Sequence, residues 1–84
     1  MSYRAWLEER ALRQMRALPD EALDVLVRAL VRICEHPYDR LFSRAVQDDD
    51  PRERMAELGD IGFVEFRVDE AAGLVRVLTL VWAG

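Results

Sequence analysis

The C-terminal third of the chain alternates. Val64, Phe66 and Val68 are separated by Glu65, Arg67 and Asp69, the period of a strand with one buried face. Asp69-Glu70-Ala71-Ala72-Gly73 then supplies turn residues, and Gly73 takes φ > 0 without steric cost. Leu74 to Trp82 is apolar at every position except Arg76 and Thr79, which predicts a strand covered on both faces and central in its sheet. The stretch from Ile61 to Gly84 is thus expected to form the sheet core, and the sequence ends directly after its last strand.

Upstream the period changes. Between Glu8 and Leu18, the residues Ala11, Leu12, Met15 and Leu18 form one stripe with Arg10, Arg13 and Arg16 outside it, which predicts a helix. Glu8 and Glu9 suit its positive N-terminal end. Pro19 ends that helix and can open the next. Asp20, Glu21 and Asp24 favour a second N-terminus, and Leu23, Leu26, Val27, Leu30, Ile33 and Cys34 follow as a broad apolar stripe. Pro37 disfavours helical geometry just before it, so this helix should end near Glu35-His36. Ser2 to Leu7 fits two patterns, a strand with Tyr3, Ala5 and Leu7 on one face or a helical spacing of Tyr3, Trp6, Leu7, Arg10 and Ala11. Tyr38 to Asp50 is irregular, with a short helical turn expected at Leu41, Phe42, Ala45 and Val46 and a solvated turn at Asp48-Asp49-Asp50-Pro51. Arg52 to Leu58 is a further strand, weakened by Glu53, Ala56 and Glu57, and Gly59-Asp60 turns the chain into Ile61.

Two striped helices joined at a proline make an antiparallel hairpin, and the sheet is the surface that can cover it. The expected fold class is α+β: a single domain over residues 1–84, with a helix hairpin packed on a small, mainly antiparallel sheet in the order β-α-α-β-β-β. With 51% hydrophobic residues the chain is globular rather than disordered. No apolar run approaches the roughly 20 residues of a membrane span, and no signal peptide precedes the first periodic segment, so no membrane partner is expected. Cys34 has no second cysteine to pair with, which fits a reducing cytoplasm and a small core residue.

Charge and residue types narrow the chemistry. A net charge of −4 argues against bulk attraction to nucleic acid. All 12 basic residues are Arg, a bias that GC-rich coding explains overall and that an Arg-lined phosphate or carboxylate site explains at a few positions. There is one His, no Gly-rich phosphate loop and no Ser/His/Asp arrangement in usable context. His36 reads as a helix-end residue interacting with carbonyls rather than as a general base. Asp48-Asp49-Asp50 lacks the spaced oxygen ligands and glycine of a calcium loop, and no metal or other cofactor is expected.

The order of elements carries a resemblance. The opening Met-Ser-Tyr-Arg, the helix from Glu8 through Leu18 with its break at Pro19, His36-Pro37 closing the second helix, Gly62-Phe63, Phe66-x-Val68-Asp69 and the run Leu74 to Trp82 together resemble the RelE/ParE toxins of bacterial type II toxin–antitoxin systems, over nearly the whole chain. In RelE-type members the resemblance implies a ribosome-dependent endoribonuclease that cuts messenger RNA without a metal and so inhibits translation. Basic side chains would hold phosphates and stabilise charge at phosphorus. In ParE-type members it implies inhibition of DNA gyrase. Both imply a cognate antitoxin partner.

Carried over residue by residue, the family's basic-x-basic pair matches Arg52-Glu53-Arg54. The family's Arg after its Gly-aromatic element falls here on Phe63 or Val64, and its basic and aromatic residues after the last strand have no counterpart before Gly84. Arg67 and Arg76 are the remaining basic strand residues; each is a phosphate contact or the cross-strand partner of Glu65, Asp69 or Glu53. The candidate catalytic set is therefore Arg52, Arg54, Arg67 and Arg76, with Arg52, Arg54 and Arg76 expected to converge on one face. None of them can accept a proton near neutral pH. The first functional reading is a toxin acting as a ribonuclease, in attenuated form; the alternatives are a gyrase inhibitor or a catalytically degenerate antitoxin-binding module.

Overall fold

The structure is a computed structural model that describes residues 2–60 and 62–83; Ile61 and Gly84, with which the expected sheet core begins and ends, lie outside the described residues. Among the described residues the order is β1 (Arg4–Leu7), α1 (Glu9–Arg16), α2 (Asp20–Glu35), β2 (Ser43–Gln47), β3 (Asp50–Glu57), β4 (Gly62–Asp69) and β5 (Leu74–Trp82). The strands form one sheet in the order β1-β5-β4-β3-β2, with β1 parallel to β5 and every other neighbour antiparallel. Two helices on a mainly antiparallel sheet make the α+β arrangement expected, with one strand more.

That extra strand is β2, where a helical turn at Leu41, Phe42, Ala45 and Val46 was expected. Ser43, Arg44 and Ala45 pair with Ala56, Met55 and Arg54 of β3 instead. Asp48-Asp49 forms a two-residue hairpin turn, and no non-glycine residue there has φ > 0. Such a turn lacks the twist that suits a two-residue hairpin, and the ladder slips in register between Ala45 and Gln47 directly beyond it. Ser2 to Leu7 resolves as strand rather than helix. It is held at its start by the Tyr3 N–H on the Cys34 carbonyl at 2.8 Å and at its end by the Glu8 N–H on the Val77 carbonyl at 2.9 Å.

Pro19 sits at the N-cap of α2 with extended backbone, φ −68° and ψ 163°, ending α1 and opening α2 as its fixed ring angle allows. The buried stripe of α2 is Ala22, Leu26, Ala29 and Ile33. Of the expected stripe, Leu23, Leu30 and Cys34 also pack against the core, whereas Val27 is 51% exposed, as is Val31 beyond the stripe at 56%. Two alanines on the inner face let the helix lie close to the sheet, and the larger valines fall outside. The core joins Ala11, Leu26 and Ile33 of the helices to Val64, Phe66 and Val68 of β4 and to Val75, Val77 and Leu80 of β5.

The strand β5 is not central: β4 is the middle strand, and β5 stands between it and the edge strand β1. Nor is β5 covered on both faces. Val75, Val77 and Leu80 are buried, whereas Val81 is 42% exposed. Glu65 pairs with Thr79 and Phe66 with Val77, so Leu78 is a bulge residue that shifts the alternation by one. The apolar run therefore reflects a change of register, not a second buried face. The N–H freed near this bulge, that of Leu80, is taken up by the Gln14 side-chain oxygen of α1 at 2.7 Å. No helix among the described residues is long and apolar enough to cross a membrane.

Candidate functional site

The four candidate arginines divide between two places. Arg54 pairs in register with Phe66, whose side chain is fully buried, and is itself 5% exposed. Its Nε donates to the Ser43 hydroxyl at 2.9 Å, one terminal nitrogen to the Ser43 carbonyl at 3.0 Å and the other to the Pro51 carbonyl at 3.0 Å. The Ser43 hydroxyl in turn donates to the Pro37 carbonyl at 3.0 Å. The guanidinium also lies over the Tyr38 ring, 5.5 Å from its centre. Among the described residues no carboxylate pairs with Arg54, and burial pulls its guanidinium below the ordinary value. Arg54 thus ties the connection between α2 and β2 to the sheet.

Arg67 and Arg76 lie in a charge ladder across the opposite face, and Arg52 stands at its end beside Asp50. Arg67 and Arg76 stand directly opposite each other in the β4–β5 register, and Glu53 stands opposite Arg67 in the β3–β4 register. Arg67 donates to Asp50 at 2.9 Å and lies 4.0 Å from Glu53. Arg76 donates to Asp69 at 3.1 Å and reaches Glu8 at 3.4 Å. Arg52 is more exposed and pairs loosely with Asp50 at 3.5 Å. The hydrogen bond from Arg67 holds the Asp50 carboxyl below its usual range, and the Ala72 N–H followed by Arg76 does the same for Asp69.

The expected convergence of Arg52, Arg54 and Arg76 is therefore not formed. Regular pairing of β3 with β4 starts at Glu53, so Arg52 precedes the ladder and reaches Asp50, while Arg54 two residues on is buried on the helix side. Arg67 and Arg76 have the cross-strand partners Glu53 and Asp69 that alternation made available, together with Asp50 and Glu8, which alternation alone does not indicate.

Sequence reasoning passed over Tyr38. It is 36% exposed, burial pushes its phenol up, and the charges of Arg52 and Arg54 both act on it. The one available signal was its place directly after the helix-ending His36-Pro37. Of the two positions named above, Phe63 and Val64, Val64 is fully buried. Phe63 lines a groove of about 670 Å³ with Arg44, Met55, Glu57 and Val81, among others.

No family model matches this chain, and no curated protein matches it. Solved structures do. The isolated RelE toxin of E. coli superposes with a TM-score of 0.83 at 21% identity, over 99% of this chain and 86% of that one. The chain has the RelE fold. The RelBE2 toxin–antitoxin complex of Mycobacterium tuberculosis matches with a TM-score of 0.80 at 16% identity, over 98% and 99% of the two chains. The archaeal RelE–RelB complex of Pyrococcus horikoshii OT3 matches with 0.74 at 19%, over 100% and 98%. On the RelE fold, this chain sets Arg67 and Arg76 among four carboxylates on the face of the sheet away from the helices, with Arg52 beside one of them, Asp50.

Proposed function

We propose that this protein is the toxin half of a toxin–antitoxin pair and that it acts, weakly, as a metal-independent endoribonuclease on ribosome-bound messenger RNA. The observation that supports this is the RelE fold over essentially the whole chain, matched both to a RelE toxin alone and to toxin–antitoxin complexes. In this reading Arg52, the most exposed of the four, meets the phosphate first. Arg67 and Arg76 join it by exchanging carboxylate for phosphate oxygens, and Arg54 fixes the loop that carries Tyr38. None of the arginines can accept the proton of the attacking hydroxyl, so slow cleavage is expected.

One observation favours a second reading, a non-catalytic toxin that inhibits gyrase or serves only to bind its antitoxin. Arg67 and Arg76 are each flanked by two carboxylates, which an RNA phosphate must displace. Primer extension on messenger RNA from cells expressing the parent, Arg52→Ala and Arg67→Ala separates the two. Ribosome-phased cuts that weaken in both variants are expected. Growth arrest without cuts, together with loss of gyrase supercoiling in a purified assay, replaces the first reading by the second.

A further inference from the structure

On the face of the sheet away from the helices, one row of residues runs straight across from β1 to β3. Trp6 of β1 stands in register with Arg76 of β5, Arg76 with Arg67 of β4, and Arg67 with Glu53 of β3. Neighbouring strands lie about 4.8 Å apart, so the indole is one strand from Arg76 and roughly 10 Å from Arg67. On β1 the odd-numbered Leu7 packs against the core, as does Tyr3 just before the strand, so Arg4 and Trp6 point to the outer face. Trp6 is 55% exposed. Arg67 and Arg76 belong to the site already described; Arg4 and Trp6 do not.

The neighbours of this indole decide what fits over it. Along the chain they are Arg4 and Glu8, and across to β5 is Arg76, with Asp69 and Arg67 of β4 behind it. An apolar protein surface laid on Trp6 would bury these charges with it, at a large desolvation cost. A nucleotide would not, because it brings an apolar π-face for the ring and a phosphate for the cations. Glu8 and Asp69 both hold Arg76, at 3.4 and 3.1 Å. Among the described residues the cations lying over aromatic rings are Arg32 and Arg54, so the face of Trp6 is open. Arg4 is exposed and has no ion pair among the described residues, so a phosphate reaches it without displacing a carboxylate. Arg4 and Trp6, two residues apart on one strand, leave the same face about 6.5 Å from each other, within reach of one nucleotide's phosphate and base.

We infer that Trp6 is a stacking platform for one base of single-stranded RNA. Arg4 holds the phosphate of the same nucleotide, and the row from Arg76 to Arg67 meets the phosphates that follow. The inference rests on the ribonuclease reading for the presence of RNA on this face, and it gives that site an end that binds a base. Stacking on an aromatic ring accepts every base, and its strength, not hydrogen-bond readout, sets what preference there is. The larger purines are therefore favoured at Trp6 over pyrimidines.

The test uses the full chain with short, end-labelled oligoadenylate and oligouridylate, binding being read by anisotropy. The parent is expected to bind oligoadenylate more tightly. Trp6→Ala should lose about fivefold or more on oligoadenylate and bring the two oligonucleotides within about twofold of each other. Trp6→Phe keeps a ring and should recover most of the loss. Inorganic polyphosphate, which has phosphates and no bases, should bind the parent and Trp6→Ala alike. Unlabelled oligoadenylate should quench the parent's indole fluorescence but not that of Trp6→Phe, whose remaining Trp82 lies beside Gln14 and Leu18 on the helix side. Unchanged oligoadenylate affinity in Trp6→Ala, an equal loss on polyphosphate, or equal quenching in Trp6→Phe overturns the platform. A parent that cuts messenger RNA on the ribosome but binds no oligonucleotide overturns the platform alone; one that neither binds nor cuts overturns the ribonuclease reading with it. Circular dichroism checks the fold of each variant, and if Trp6→Ala does not fold, Trp6→Phe and the parent's quenching decide.

Discussion

Replacing Arg54 by Ala should unfold much of what β2 contributes. The side chain is 5% exposed and makes three hydrogen bonds, two to Ser43 and one to Pro51. Truncation strands the two backbone carbonyls, while the Ser43 hydroxyl keeps its bond to Pro37. A buried acceptor left without its donor costs about 1–3 kcal/mol. The Pro51 carbonyl is only part-buried and recovers water, so the two together come to about 2–4 kcal/mol, with about 1 kcal/mol more for the packing lost beside Tyr38. That is a large share of the roughly 5–15 kcal/mol that holds a small domain folded. Arg54→Lys keeps the charge but not the planar fork, so it should recover less than half of the loss. Urea unfolding followed by tryptophan fluorescence gives the stabilities, and hydrogen exchange at residues 43–47 locates the damage. An Arg54→Ala protein within about 0.5 kcal/mol of the parent, with β2 amides exchanging no faster, would refute the clamp. The same argument makes Arg54→Ala a poor probe of catalysis, since a loss of activity would follow from the loss of fold.

Leu80→Ala should cost about 2–5 kcal/mol in the same unfolding assay, because Leu80 is 4% exposed in the shared core of β5 and the helices. Gly62→Ala should destabilise by about 1–3 kcal/mol and lower the Tm, since an added Cβ would collide with the backbone carbonyl of Val81 across the β4–β5 pair. Asp50 and Asp69 have folded pKa values lowered by their partners, so their contribution is present above the unfolded carboxylate value, about 3.9, and fades as pH falls below it. Asp50→Asn should flatten the acid limb of a stability-versus-pH curve without moving the neutral plateau's Tm upward.

What the sequence revealed was what local periodicity can encode. Both helices and their proline boundary follow from 3.6-residue stripes and from a ring that forbids one geometry and favours another. Strands β4 and β5 follow from alternation and a glycine turn. The strand β2 does not, because Ser43-Arg44-Ala45-Val46-Gln47 holds one β-branched residue and owes its shape to pairing with β3. The arginines were visible as residues, but not their sides. A period of two says that Arg67 and Asp69 share a face, not which face is covered, and Arg52 departs from Arg54 because it lies before the ladder begins. Arg54 as a buried clamp was the least visible of all, since its partners are two carbonyls and a hydroxyl contributed by other segments.

The parallel pairing of β1 with β5 joins the first and last elements of the chain, Arg4 meeting Leu74 and Leu7 meeting Val77. During synthesis at about 5–20 residues per second, β1 waits roughly 3–13 s for its partner. Until β5 emerges, the apolar stripes of α1 and α2 lack the strand that most directly covers them. A nascent chain of this topology keeps those stripes open until β5 has emerged, and the pairing of β1 with β5 then covers them.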